Sequence, residues 1–199
     1  MAWDTERTRA LLLAAGATEF SQHGLAGGRV DRIAAEAGVN KERIYQYFGN
    51  KQGLFDAVVV SELGRVMDAV PIQGTGVDAV TDYAGRLFDY HLARPDLARL
   101  VFWEGLERGE GAVALAERAQ RSRDKAAAVQ GMLPGVTAAA AAELLLTIVT
   151  LCDAWPTIPQ LDRLITGGGE GRAQARRAAV VRLARLAAED ALAGVQGGS

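Results

Sequence analysis

The stretch VDRIAAEAGVNKERIYQYF, residues 30–48, leaves a chain few ways to fold. Val30, Ile33, Ala34 and Ala37 recur at helical spacing until Gly38, and a second short helical run extends from Lys41 to about Phe48. Helices this short do not survive alone in water, because so few turns cannot offset the cost of nucleation. Both must dock on longer elements. Gly38 suits the left-handed position after the first helix, and Asn40 suits the N-cap of the second. Tyr45, Tyr47 and Phe48 then crowd a single segment. Adjacent and alternate side chains on a helix point in different directions, so one core cannot take all of them. Ile44 and Phe48, four apart, fall on the inward face. Lys41, Glu42, Arg43, Tyr45, Gln46 and Tyr47 are left pointing elsewhere.

The flanking sequence supplies the longer elements. Leu12, Leu13, Ala17 and Phe20 predict a helix over residues 5–22, with Arg7, Arg9, Glu19 and Gln22 on its polar side and Gly24 as its stop. Asn50 is placed to cap a fourth helix whose apolar face runs through Leu54, Phe55, Val58, Leu63 and Val66. PIQGTG at 71–76 has the composition of a linker. Further helices are predicted over residues 77–91, from 96 to Leu106, from about Ala112 to Met132, over 137–154 and over 172–193, with Pro156 and Pro159 as breakers. No segment shows strand-like alternation. The expected fold is all-α with about nine helices, divided into a first domain, residues 1–50, and a second, residues 51–199.

Bulk properties narrow the function. Of 199 residues, 49% are hydrophobic and 23% charged, enough apolar surface for a core and too little charge for a disordered chain. Cys152 is the only cysteine, which excludes an intrachain disulfide and fits a reducing cytoplasm. The apolar run from Val136 to Cys152 contains Glu143 and falls short of a membrane span, so no membrane is expected. Net charge is −2, split as +1 over residues 1–55 and −3 over the remainder. On charge alone a basic patch is a weak inference. No catalytic or metal constellation stands out: His23 and His91 lack metal spacing, Glu104 and Glu107 fit a solvated face as well as an acid/base pair, and GGGEG at 167–171 has no P-loop lysine. No catalytic residue, no metal site and no cofactor is expected.

Two short helices joined by AGVN, behind a longer one, are the organisation of a helix-turn-helix. IAAEAGVNKERIYQYFGNKQGLFDAV is similar to the signature of the tetracycline-repressor-like (TetR) family of bacterial transcription regulators, and YQYFGNK matches its tyrosine, phenylalanine and closing lysine. The strong match covers residues 5 to about 60. The resemblance implies that the third helix enters the DNA major groove of an operator. Tyr45, Tyr47 and Lys51 then position the protein on phosphates, while Lys41, Arg43 and Gln46 carry donors for base edges. Gly28 stands where many members have a capping threonine, and Arg29 is expected to replace that phosphate contact. Glu42 stands where glycine is common and brings a carboxylate towards phosphate. Glu42 and the low charge keep a second reading open, a helical protein-binding adaptor without DNA binding.

For the second domain the resemblance implies a homodimer and a small-molecule effector of unknown identity, apolar or amphipathic. Residues 137–154 and 172–193 are the expected dimer helices, since Leu144, Leu145, Ile148, Val149 and Leu151 surround too much of one helix for a single core. Phe88, His91, Phe102, Trp103, Cys152 and Trp155 are the expected pocket residues. The whole chain then reads as a DNA-binding repressor released from a palindromic operator by its effector.

Overall fold

The computed structural model describes residues 2–109 and 111–196. Among them the regular elements are ten helices: α1 (Ala2–Gly27), α2 (Val30–Ala37), α3 (Glu42–Phe48), α4 (Lys51–Ala69), α5 (Gly76–Ala93), α6 (Asp96–Arg108), α7 (Leu115–Met132), α8 (Ala138–Thr157), α9 (Pro159–Thr166) and α10 (Arg172–Gln196). The chain is all-α, with one helix more than the sequence suggests. The addition is α9, which begins on Pro159, where the missing N–H costs nothing because the first helical N–H groups have no partner anyway. Pro156 does not break α8 either. It sits in the last turn, where the Thr157 hydroxyl donates to the carbonyl oxygens of Asp153 and Ala154 at 3.0 and 2.9 Å.

Other helix ends follow their local chemistry. α1 is kinked at Gly24, whose φ of 68° and ψ of −176° interrupt the helix where the sequence places a stop. α3 starts at Glu42 with Lys41 before it, and no side chain caps it, so Asn40 does not take the expected capping role. Asn50 does cap α4: its Oδ1 accepts the Gly53 N–H at 2.8 Å.

The helices form two compact units, and the division differs from a cut after residue 50. One unit holds residues 1–67 and 95–115, the other residues 68–94 and 116–199. Burial gives the reason for the first. Leu12 and Phe20 of α1, Ile33 of α2, Ile44 of α3, Leu54, Phe55 and Val58 of α4 and Leu100 of α6 belong to one core and are fully inaccessible. Phe20 and Phe55 meet edge to face with centroids 5.2 Å apart. Each such side chain contributes about 1.5–3 kcal/mol when buried, so α4 and α6 cannot be separated from the helix-turn-helix without exposing it. Polar ties reinforce the return of α6: the Ser21 hydroxyl donates to Asp96 at 2.8 Å, and Arg108 pairs with Asp56 at 2.6 Å.

In the second unit α5 packs against α8 and α10, and α8 packs against α10. Val180, Ala184 and Ala188, one stripe of α10, face inward, as do Leu144, Ile148 and Cys152 of α8. The 20-residue α8 is, by length and composition, apolar enough to cross a membrane, contrary to the shorter run read from the sequence, because it continues past Cys152 to Thr157. Only 28% of its most apolar window is buried. An apolar strip of α8 therefore remains outside this unit's own core, with Leu146 55% exposed.

Candidate nucleic-acid interface

The recognition segment is built from a tight reverse turn. Gly38 adopts φ 66° and ψ 30°, and the Val39 and Gly38 N–H groups donate to Ala34 and Ala35 carbonyls at 3.0 and 3.2 Å. This Schellman closure ends α2 in the left-handed conformation that glycine alone adopts cheaply, and it turns the chain into α3. On α3, Ile44 is fully buried, whereas Tyr47 and Phe48 are half-buried and pack against the core. Lys41, Glu42, Arg43, Tyr45 and Gln46 are exposed. Tyr45, at 46% exposure, projects away from the core; Tyr47 divides its ring between the core and solvent. Arg9 of α1 lies over the Phe48 ring, 5.7 Å from its centroid.

The cations on this face are partly engaged. Lys41 Nζ is 3.1 Å from Asp31 Oδ1, and this hydrogen bond raises the lysine pKa. Its ammonium is kept charged and engaged by Asp31. Arg43 Nη1 lies 3.5 Å from Gln46 Oε1, so both long donors share one side of α3. Lys51 donates to the carbonyl oxygens of Ala26 and Gly28 at 3.1 and 3.2 Å. An ammonium has three N–H donors, which leaves one for a phosphate. Arg29, extended at the start of α2, has an exposed side chain.

One organising residue escapes sequence reasoning. Glu19, assigned from periodicity to the polar side of α1, is 6% exposed. Its carboxylate accepts the Arg29 N–H at 2.8 Å and the Arg32 guanidinium through contacts of 2.6–3.0 Å. Burial alone would raise its pKa, but the bonds from Arg32 and Arg29 outweigh that and hold it below the ordinary carboxylate value. Glu19 thus supplies from α1 the acceptor that the start of α2 lacks. Gly28 has a separate reason for being glycine: a Cβ there would come 2.6 Å from the Phe20 ring, so a threonine would collide with the core. On the other side of the same loop, Glu107 of α6 accepts the Leu25 N–H at 3.0 Å and the Ala26 N–H at 3.1 Å. The segment carrying α2 and α3 is held by a lysine on its carbonyls and carboxylates on its amides. No periodicity could reveal Glu107, which acts across more than eighty residues.

The expected pocket residues divide between the units. Phe88, His91, Cys152 and Trp155 lie in the second, where the Phe88 and Trp155 rings are 6.2 Å apart and His91 Nε2 is 3.1 Å from Asp153 Oδ1. Phe102 and Trp103 lie on α6 in the first; Phe102 is exposed, and Trp103 Nε1 donates to the Ser21 carbonyl at 3.3 Å. Burial pushes the His91 pKa down to about 4 and the Cys152 thiol up to about 12. Asp153 beside His91 is raised to about 6, again by burial. His91 Nδ1 is buried without a hydrogen bond among the described residues, and Asp153 Oδ1 has only its approach to His91 Nε2.

Comparison with known proteins agrees with this geometry. Residues 12–58 match the family model "Bacterial regulatory proteins, tetR family", and residues 79–185 match "Tetracyclin repressor-like, C-terminal domain". The HTH-type transcriptional repressor SCO4008 of Streptomyces coelicolor is 39% identical over 186 residues, covering 92% of this chain and 95% of that protein. The HTH-type transcriptional repressor NicS of Pseudomonas putida is 28% identical over 112 residues, 54% of this chain and 53% of NicS. The crystal structure of the transcriptional regulator SCO4942 from Streptomyces coelicolor superposes with a TM-score of 0.71 at 32% identity, over 90% of this chain and 97% of that one. None of these relatives supports the adaptor reading. Together with the helix-turn-helix on α2 and α3, they show that the chain belongs to the TetR family of bacterial transcription regulators, DNA-binding proteins rather than enzymes.

Proposed function

We propose that the protein is a homodimeric repressor that places two α3 helices on a palindromic operator and leaves it when a small apolar or amphipathic effector binds. The family brings operator DNA, a second copy of the chain and a small ligand as partners. The observation that carries the reading is the exposed face of α3, where Arg43, Tyr45 and Gln46 project from a helix anchored by Ile44. Arg43 and Gln46, with Lys41 once it leaves Asp31, read base edges. Arg29, Tyr45, Tyr47 and Lys51 contact phosphates and set the register. Glu42 occupies the first turn of α3, where its carboxylate complements the helix dipole, and a cytosine amino group is the base edge it can accept from.

Residues 137–154 and 172–193 close the dimer. Leu146 of α8 and Leu183 and Leu186 of α10, exposed at 55%, 45% and 61%, supply its apolar surface. His91 Nδ1 favours an effector in the second unit, since an unmade hydrogen bond at a buried polar atom costs about 1–3 kcal/mol and a ligand would satisfy it. Binding there would alter the spacing of the two α3 helices through α4, a coupling of about 1–3 kcal/mol in operator affinity. The setting is cytoplasmic. Selecting preferred sites from a random DNA pool with the purified protein should return a palindrome with half-sites about one helical turn apart or slightly more. A single asymmetric site, or no enrichment, would contradict the proposal.

A further inference from the structure

A cleft of about 200 Å³ opens where the end of α8, all of α9 and the start of α10 meet. Trp155, Ile158, Leu161 and Ile165 give it apolar walls, and Arg172 and Arg176 give it two guanidinium groups. One is spoken for. Arg172 donates to Asp162 Oδ1 from Nε and Nη2 at 3.1 and 2.7 Å, and the Thr166 hydroxyl also reaches that oxygen at 3.3 Å. The Arg172 hydrogen bond, with the charges of Arg172 and Arg176, holds the Asp162 carboxyl below its ordinary range, so one carboxylate faces two guanidinium groups. Arg176 is half-buried and makes no hydrogen bond or ion pair among the described residues. The first turn of α10 carries no acidic side chain, so its positive dipole end adds to the same field. Glu170, exposed in the preceding loop, does not line the cleft.

The geometry points to a ligand site here for a compact arylcarboxylate, its carboxylate on Arg176 and its ring against Trp155 and Ile158. Charge decides the head group, because the lining holds two guanidinium groups against one carboxylate and a guanidinium matches a carboxylate through two parallel hydrogen bonds. Volume decides the body: a cavity of about 150 Å³ holds a benzene ring, and this cleft is slightly larger. Flexibility decides access. α9 has no buried residue, and Leu164 and Ile165 are 81% and 73% exposed. Three consecutive glycines, Gly167, Gly168 and Gly169, all with positive φ, connect it to α10. A bound ring would add apolar contact to Leu161 and Ile165 of α9. The cleft shares Trp155 with the expected effector pocket, but His91 and Asp153 do not line it, and binding there does not depend on DNA release.

Isothermal titration of the full chain with benzoate and with its uncharged counterpart benzamide tests this. Benzoate should saturate with a Kd on the order of 1 mM or tighter, and benzamide should bind at least about tenfold more weakly. Arg176→Gln should erase the preference for benzoate while circular dichroism stays that of the parent. Ile158→Trp, which fills the cleft, should block both probes, and hydrogen exchange over residues 159–166 should slow when benzoate is present. Failure of benzoate to saturate, or equal benzoate affinity in Arg176→Gln and the parent, would overturn the inference.

Discussion

Glu19 shows how much of the DNA-binding unit hangs on a single side chain. Its carboxylate satisfies the Arg29 N–H and neutralises Arg32 while lying almost wholly inside the protein. Glu19→Gln keeps the shape but loses the charge, and should lower the unfolding free energy by roughly 1–3 kcal/mol. The pH dependence has a definite sign. The folded pKa lies below the unfolded value of 4.5, so this stabilisation is fully present above pH 4.5 and lost as pH falls through the folded pKa. Denaturant melts of parent and variant between pH 7 and pH 3 should therefore converge on acidification; a constant gap would show that the charge is not what Glu19 contributes. Sequence periodicity assigns Glu19 to solvent because its partners lie 10 and 13 positions away, beyond the reach of helical spacing. Tyr45 and Tyr47 illustrate the opposite limit. Tyr47 is next to Phe48 and two places from Tyr45, which already shows that one core cannot hold all three, but only the packed structure tells that Tyr47, not Tyr45, shares its ring with that core.

At the scale of helices, the junction of α3 with α4 is closed by Gly53. A Cβ on that residue would sit 2.1 Å from the Phe48 carbonyl oxygen, well inside contact distance. In an ordinary helix Gly→Ala stabilises by about 0.5–1 kcal/mol through chain entropy. Here the clash should reverse the sign, and Gly53→Ala should destabilise by about 1–3 kcal/mol as the two helices are forced apart. A thermal melt reads the sign directly, and a raised Tm in Gly53→Ala would refute the close approach. Asn50, the cap beside this junction, is legible because capping is local chemistry. α9 is not, because Pro156 and Pro159 read as breakers unless one knows that they occupy the last turn of one helix and the first turn of the next.

For the whole molecule, the boundary between units was the least legible feature. A cut after residue 50 follows the helix-turn-helix motif, yet α4 contributes Leu54, Phe55 and Val58 to that module's core and α6 returns to it with Leu100. Such long-range packing leaves no mark in local spacing. Surplus apolar surface leaves a partial one: of the α8 residues that the sequence singles out, Leu144, Leu145 and Ile148 are buried within this unit, and the exposed leucine is Leu146. A charge placed on that surface should split the proposed dimer. Leu186→Glu should sediment as a monomer at micromolar concentration and lose operator affinity while retaining helicity, whereas an unchanged dimer would remove α10 from the interface.

If α3 and its surrounding cations grip DNA, fluorescence anisotropy over a salt series will read that grip. Two copies, each setting Arg29 and Lys51 on phosphates, would displace about four counterions. The logarithm of the binding constant should then fall against the logarithm of salt concentration with a slope of about −3 to −4. Arg29→Ala should make that slope shallower. Binding that is absent, or indifferent to salt, would contradict the account.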